Sequence, residues 1–262
     1  MALAAQRAFE FTAPESWRAI DFISDLHLSE QLPRTFEAWR EHLLGTPADA
    51  VFMLGDLFEV WVGDDARASG FARLAVEAMA EAASRRALGI MVGNRDFLLG
   101  AAMLRDCGAA GLMDPTLLTA WGQRIVLTHG DALCLADRPY QKMRSLFRSP
   151  AWQAEFLAKP LAERRRFAAE VRARSAAQGA QRTGGLDGDA AVDVDAGAAV
   201  ALLHSLGAAE LVHGHTHRPG SNELAPGFKR HVLSDWDLDN AERAQVLRLT
   251  RDGFVRLAPS RA

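Results

Sequence analysis

The sequence predicts a layered α/β fold, and three observations predict it. Five short apolar runs each end in a polar cluster, Ala-rich helical stretches lie between them, and one basic segment contains no strand-like run. Alternation of strand and helix argues for sheets layered with helices, and open α/β sheets gather functional groups at the C-terminal ends of their strands. A chain of 262 residues, 49% hydrophobic and 24% charged, suits one large domain with room for a small insertion. The two cysteines, Cys107 and Cys134, lie outside any C-x-x-C pattern. That argues against a disulfide framework or a thiolate zinc site and fits a reducing compartment.

Residues 1–18 carry Arg7, Glu10 and Glu15 where a signal peptide needs an apolar stretch, and read as a short N-terminal extension. No apolar run reaches membrane-spanning length, so a cytoplasmic protein is expected. The main domain, 19–262, opens with the run 19–23 leading to Asp25 and His27. Run 50–54 leads to Gly55 and Asp56, and run 88–92 to Gly93, Asn94, Arg95 and Asp96, with a helix expected over 71–86. Run 124–127 leads to His129, Gly130 and Asp131. From about 137 to 182, Trp152/Phe156 and Phe167/Val171 fall at i,i+4 spacing, which predicts a helical insertion with an apolar and a basic face. Residues 183–197, rich in Gly, Ala and Asp, predict a mobile loop, with a helix over 194–206. Run 210–212 leads to His213, Gly214, His215 and His217. The runs 229–233 and 244–249 read as a meander in a second, partly antiparallel sheet.

Charge is unevenly spread. Between Arg138 and Arg182 stand nine Arg and two Lys against three Glu, in a chain whose net charge is −3. A basic segment on an acidic body suggests either an anionic partner met at one place or a solvated helical face.

The strand ends hold the donor set that two hard divalent cations require: carboxylate, amide and imidazole, with one carboxylate shared. Asp25 and His27, two apart, can point to one side if the chain there is extended. Asp56 is the natural bridging carboxylate, Asn94 offers a neutral oxygen, and His129, His215 and His217 complete seven ligands. Any one of these alone is more often a cap or a satisfied polar residue; five elements in order are specific. Among the rest, His42 and His204 read as surface residues and His213 as a buried structural one. His231 has no partner nearby in sequence, and Asp96 and Asp131 read as supporting or turn residues.

Taken together, Asp25-x-His27, Gly55-Asp56, Gly93-Asn94-Arg95-Asp96, His129 and Gly214-His215-Thr216-His217 resemble the calcineurin-like metallophosphoesterase superfamily. The strings GDLFEVWVGDD, GNRDFLLG, THGDALCLADRPYQ and HGHTHRP are similar to its UDP-2,3-diacylglucosamine diphosphatase branch, across about residues 21–236. The resemblance implies a sandwich of two β-sheets flanked by helices, with a helical lid. It also implies two Mn²⁺ per chain, one held by Asp25, His27, Asp56 and His217 and the other by Asp56, Asn94, His129 and His215. A metal-bound hydroxide would attack the α-phosphorus, giving UMP and 2,3-diacylglucosamine 1-phosphate for lipid A synthesis. Asp56, Asn94 and Arg95 would be the catalytic residues. Asn94, Arg95 and His215 would reach the substrate with the lid residues Asp137, Tyr140, Arg172, Ser175 and Arg182, and Trp61 would help line the pocket. The sequence departs from the family at Gly179, which offers only backbone, and over 184–197, which looks lengthened.

Arg95 bears on the reaction independently. Where many metallophosphoesterases have a His, an Arg cannot donate its proton at neutral pH but can clamp phosphate oxygens. Such a site suits a diphosphate, whose leaving group needs little protonation. Phe147, Trp152, Phe156, Leu157 and Phe167 could line an acyl cleft, with ordinary helix packing expected for two or three of the aromatics. Basic lid residues could dock reversibly on the anionic cytoplasmic leaflet of an inner membrane. Neither nucleic acid nor an obligate protein partner is expected. The competing readings are another phosphodiesterase or nucleotide pyrophosphatase of the superfamily, or a non-catalytic binding module, which would show eroded ligands.

Overall fold

The computed structural model describes residues 9–183 and 192–260, with backbone only for 174–183. Two six-stranded sheets lie face to face between helices. In one sheet, β2 (Ile20–Ile23), β3 (Ala50–Leu54), β4 (Ala87–Met91) and β5 (Ala110–Leu112) run parallel, extended beyond β2 by antiparallel β11 (Val246–Thr250) and β12 (Gly253–Leu257). The other has the order β1 (Phe9–Thr12), β6 (Thr116–Ala120), β7 (Gln123–Thr128), β8 (Glu210–His213), β10 (Phe228–Val232) and β9 (Gly220–Ala225). The two late strands expected to pair as one meander therefore belong to different sheets, β10 beside β8 and β11 beside β2.

Side-chain alternation along the strands builds the layers. Phe22, Phe52 and Leu54 face inward to meet Leu118, Ile125, Leu127 and Val212 of the opposite sheet. Ile23, Val51, Met53 and Ile90 face outward onto α1 (Pro33–Gly45), α2 (Gly70–Ala83) and α3 (Ala101–Asp106). Leu117, Val126 and Leu211 pack under α7 (Ala196–Ser205). The expected insertion is three helices, α4 (Arg138–Phe147), α5 (Pro150–Leu157) and α6 (Leu161–Thr183).

Several expectations are corrected. Residues 9–12 are not a mere extension, because they form β1 and pair in parallel with β6. The polar Glu10 and Thr12 hid this strand, whose burial is slight. The expected loop 183–197 is shorter at both ends, with Thr183 in α6 and Ala196 and Gly197 in α7; residues 184–191 lie outside the described residues. His42 is fully buried, its Nε2 3.4 Å from Asp21 Oδ2, beneath Arg248, which donates to the same carboxylate at 2.7 and 2.9 Å. Contacts more than 200 residues apart in sequence explain why it read as a surface residue. His204 is exposed and His213 buried, as expected. His231 has partners after all: Ser221 Oγ at 2.8 Å and Glu210 Oε2 at 2.9 Å on the adjoining strands.

Candidate metal centre

All seven expected ligands lie just beyond the C-terminal ends of β2, β3, β4, β7 and β8, where the two sheets converge. The local backbone differs from the sequence reading. Asp25 and His27 do not sit on extended chain; their φ angles are 52° and 48°. Asp56, His215 and His217 are also left-handed, at 53°, 67° and 50°, so five of the seven non-glycine residues with positive φ among the described residues are ligand candidates. Each such residue costs of order 1–3 kcal/mol and persists only where its surroundings over-determine it, a pattern typical of functional sites.

What over-determines it is a zip between loops. Asp25 N donates to Gly55 O at 3.1 Å, His27 N to Asp56 O at 3.1 Å and Leu28 N to Leu57 O at 2.9 Å. The supporting role expected for Asp96 holds: it accepts from Gly93 N at 2.7 Å and Leu57 N at 2.8 Å, tying the second and third loops together. Burial and the neighbouring Asp56 push its carboxyl up to about 6. Two glycines permit the close approach. A Cβ on Gly55, whose φ is 94°, would collide with the His129 ring, and one on Gly93 would run into Asp56.

The donor atoms converge. Asp25, His27 and His217 present ligand atoms within 4.8 Å of one another, as do Asp25, Asp56 and His129. Asn94 Oδ1 lies 2.9 Å from both His129 Nε2 and His215 Nδ1. Asp25 belongs to both groups, so it too stands where a carboxylate could be shared, alongside the expected Asp56. Asp25 also accepts from Ser24 Oγ at 2.5 Å and from His215 N at 2.9 Å.

The chemistry of this set fits divalent cations. His129 Nδ1 faces the Leu54 carbonyl at 3.0 Å, which can only accept, so Nδ1 carries a proton, and Nε2 points at the Asn94 oxygen 2.9 Å away. His27 Nε2 faces His217 Nε2 at 3.3 Å, and the latter faces Asp25 Oδ1 at 3.3 Å. Ring nitrogens, carboxylates and an amide oxygen packed this closely in a buried spot call for positive charge among them, as protons or as a bound cation. Burial lowers the His129 pKa, but Asp56, Asp25 and Asp131 outweigh it and raise it to about 9. Burial likewise opposes and Asp25 favours the upward shift of His217. Against the penalty of burial, His217 holds Asp25 ionised, well below the usual carboxylate range.

Arg95 stands at the rim. Its backbone N donates to Asp56 Oδ1 at 2.9 Å, its Nε lies 3.6 Å from Asp56 Oδ2 and its Nη1 3.2 Å from Glu59 Oε2. Asp137 caps α4 by accepting from Tyr140 N at 3.1 Å. The Tyr140 ring lies 5.9 Å from that of His215, and its hydroxyl donates to Asp131 Oδ2 at 2.5 Å. Arg172 of α6 donates to the Glu59 carbonyl at 2.8 Å and pairs with the Glu59 carboxylate. The side chains of Ser175 and Arg182 lie outside those described. Trp61 is 4% exposed, tilted against Phe58 at a ring-centroid distance of 4.7 Å and bonded through Nε1 to Asp64. Of the candidate acyl-cleft residues, Phe147, Trp152 and Phe156 stack on one another at 4.5 and 4.6 Å, whereas Leu157 and Phe167 remain exposed.

Sequence reasoning missed Glu59, Ser24, Arg144 and Asp235. Asp235 Oδ2 sits 3.9 Å behind His217 Nδ1 and accepts from Arg243 at 2.6 Å. Only Glu59 had a signal, three residues after Asp56; nothing in its type said where it would point.

No family model matches the chain. Curated relatives do. A UDP-2,3-diacylglucosamine hydrolase of Chromobacterium violaceum is 44% identical over 92% of this chain and 98% of its own length. Proteins of the same name from Ralstonia nicotianae and Xanthomonas axonopodis pv. citri are 43% and 41% identical over 91% and 88% of this chain, and 91% and 95% of their own lengths. Among solved structures, the E. coli phosphoesterase Yfce matches at a TM-score of 0.42 and 15% identity over 92% of this chain and all of its own, a likeness too distant to argue from. With identity of this order running along nearly the whole of both partners, the chain belongs to the UDP-2,3-diacylglucosamine hydrolase family.

Proposed function

We propose that the chain cleaves the diphosphate of UDP-2,3-diacylglucosamine, giving UMP and 2,3-diacylglucosamine 1-phosphate, with two Mn²⁺ held by Asp25, His27, Asp56, Asn94, His129, His215 and His217. The observation that carries this reading is the convergence of those seven donors, five on left-handed backbone, in a member of that family. When bound, such ions would supply Lewis acidity, acidifying a water and neutralising phosphoryl charge. The chain's own groups orient and bind. Arg95, beside Asp56, clamps phosphate oxygens and offsets the charge that builds in the transition state. It has no proton to give at neutral pH, which suits a phosphate leaving group. Tyr140, Arg172, Asn94 and His215 hold the glucosamine and its phosphate, with Asp137 setting the start of α4.

Leu157 and Phe167, exposed on α5 and α6, would meet acyl chains, and the exposed Arg165 and Arg166 an anionic membrane surface. Among the described residues no helix is long and apolar enough to cross a membrane. Pure protein incubated with Mn²⁺ and the lipid nucleotide should release UMP, and a chelator should stop it. Release no faster than that of a His129→Ala variant overturns the reading. Salt-reversible co-sedimentation with anionic vesicles tests the membrane contact.

A further inference from the structure

Glu59 lies between three parts of the molecule that nothing in the sequence connects. Its backbone is fixed, because Glu59 N donates to Leu28 O at 3.2 Å, one step beyond the zip that aligns the Asp25 and Asp56 loops. That register projects the carboxylate behind the donor cluster. Oε2 lies 3.4 Å from His27 Nδ1, on the side of the imidazole opposite the nitrogen that faces His217. The same oxygen lies 3.2 Å from Arg95 Nη1. Oε1 pairs with Arg172 Nη2, while Arg172 Nη1 donates to the Glu59 carbonyl at 2.8 Å, so α6 grips this one residue twice. A single carboxylate thus gathers two guanidiniums that would otherwise repel, and orients a ring whose other nitrogen faces the cluster.

We propose that Glu59 is a positioning residue, the joint through which the lid helix α6 is fastened to Arg95 and to the His27 side of the donor cluster. Its effect on turnover rests on the hydrolysis proposed above; its structural effect does not. Losing the charge on Glu59 should weaken the hold on Arg172 and Arg95 and remove the negative charge behind His27 Nδ1. Residues supporting a metal ligand in this way typically matter by about 10–100-fold in affinity or activity.

The test compares Glu59→Gln, Arg172→Gln and the double variant with the wild type. Without substrate, hydrogen exchange over 161–173 should be faster in Glu59→Gln and in Arg172→Gln. Calorimetric titration with Mn²⁺ alone should show weaker binding only where Glu59 is changed. With substrate, Glu59→Gln should lower kcat by about 10–100-fold and raise KM. Arg172→Gln should raise KM, because it removes a proposed substrate contact together with the lid's hold on Glu59. The double variant should exchange over 161–173 no faster than the faster of the two single variants. Wild-type exchange over 161–173 in both single variants overturns the proposal, as do exchange effects that simply add in the double variant. Should Glu59→Gln fail to fold, exchange in Arg172→Gln decides the joint from the lid side. If the wild type releases no UMP, the hydrolysis reading fails, while exchange and Mn²⁺ binding still decide Glu59.

Discussion

Around the seven donors the chain is held by its backbone, whereas the three lid helices beside them are held by side chains, with Phe156 set in the core and arginine tips on the body. The donor loops are zipped together by amide hydrogen bonds of 2.9–3.1 Å, pinned by Asp96 and bent through left-handed residues. The lid is fastened by arginines: Arg144 on Asp131 at 2.7 Å, Arg148 on the Gly93 carbonyl at 2.8 Å, Arg164 on Asp65 and the Val62 carbonyl, and Arg172 on Glu59. The basic segment is therefore not wholly a solvated face. Four of its arginines turn inward to hold it on an acidic body, and Arg165 and Arg166 are among those left facing outward. Backbone positioning suits donors that must not move. Under the proposed function, side-chain fastening would suit helices that admit a large substrate, because a charged contact can be exchanged for a phosphate.

The sharpest break in this comparison comes from the donors. Asp56→Asn or His129→Ala should lower UMP release by more than about 100-fold, beyond what a merely supporting residue gives. Exchange over the lid helices should stay as in the wild type. Gly93→Ala attacks the packing between loops instead: forcing a methyl against Asp56 should cost about 3 kcal/mol. A chain of this size should lose roughly 6–12 °C in Tm, which a thermal melt checks.

On the lid side, Arg164→Ala should cost about 1–3 kcal/mol, because the Val62 carbonyl loses a charged donor while the half-exposed Asp65 finds water. Limited proteolysis should then cut within α5 and α6 before the core melts.

The pH dependence separates the two regions again. Burial raises the pKa of Asp21, but Arg248, His42 and Thr46 outweigh it and lower it to about 2. Its folded pKa lies below its unfolded value, so its contribution, about 2 kcal/mol, is present above pH ~4. That contribution is lost as pH falls toward 2. Asp21→Asn should flatten this acid limb in denaturation curves at pH 2–4 and leave the rate of lid exchange at neutral pH unchanged. The smallest effect belongs to Tyr140→Phe, which removes one hydrogen bond to Asp131 and should cost about 1 kcal/mol by the same measurement.

The donors were legible because each follows an apolar run, and strand ends are where α/β sheets deliver polar groups. Asp25, Asp56, Asn94, His129 and the two late histidines could be named from that rule alone. The layering, the core strands β2, β3, β4, β7 and β8, and the helical character of the insertion followed from hydrophobic periodicity, a local property. β1, β5, β6, β9 and β12 were not legible, since short strands at or near sheet edges carry weak patterns. Tertiary structure alone decided the left-handed backbone at Asp25 and His27, the burial of His42 over Asp21, the withdrawal of Trp61 into the core and the place of Glu59. In each case the deciding neighbour is distant in sequence or belongs to another loop. Periodicity reports which face of an element is apolar, but only packing brings those elements together and sets which charge meets which.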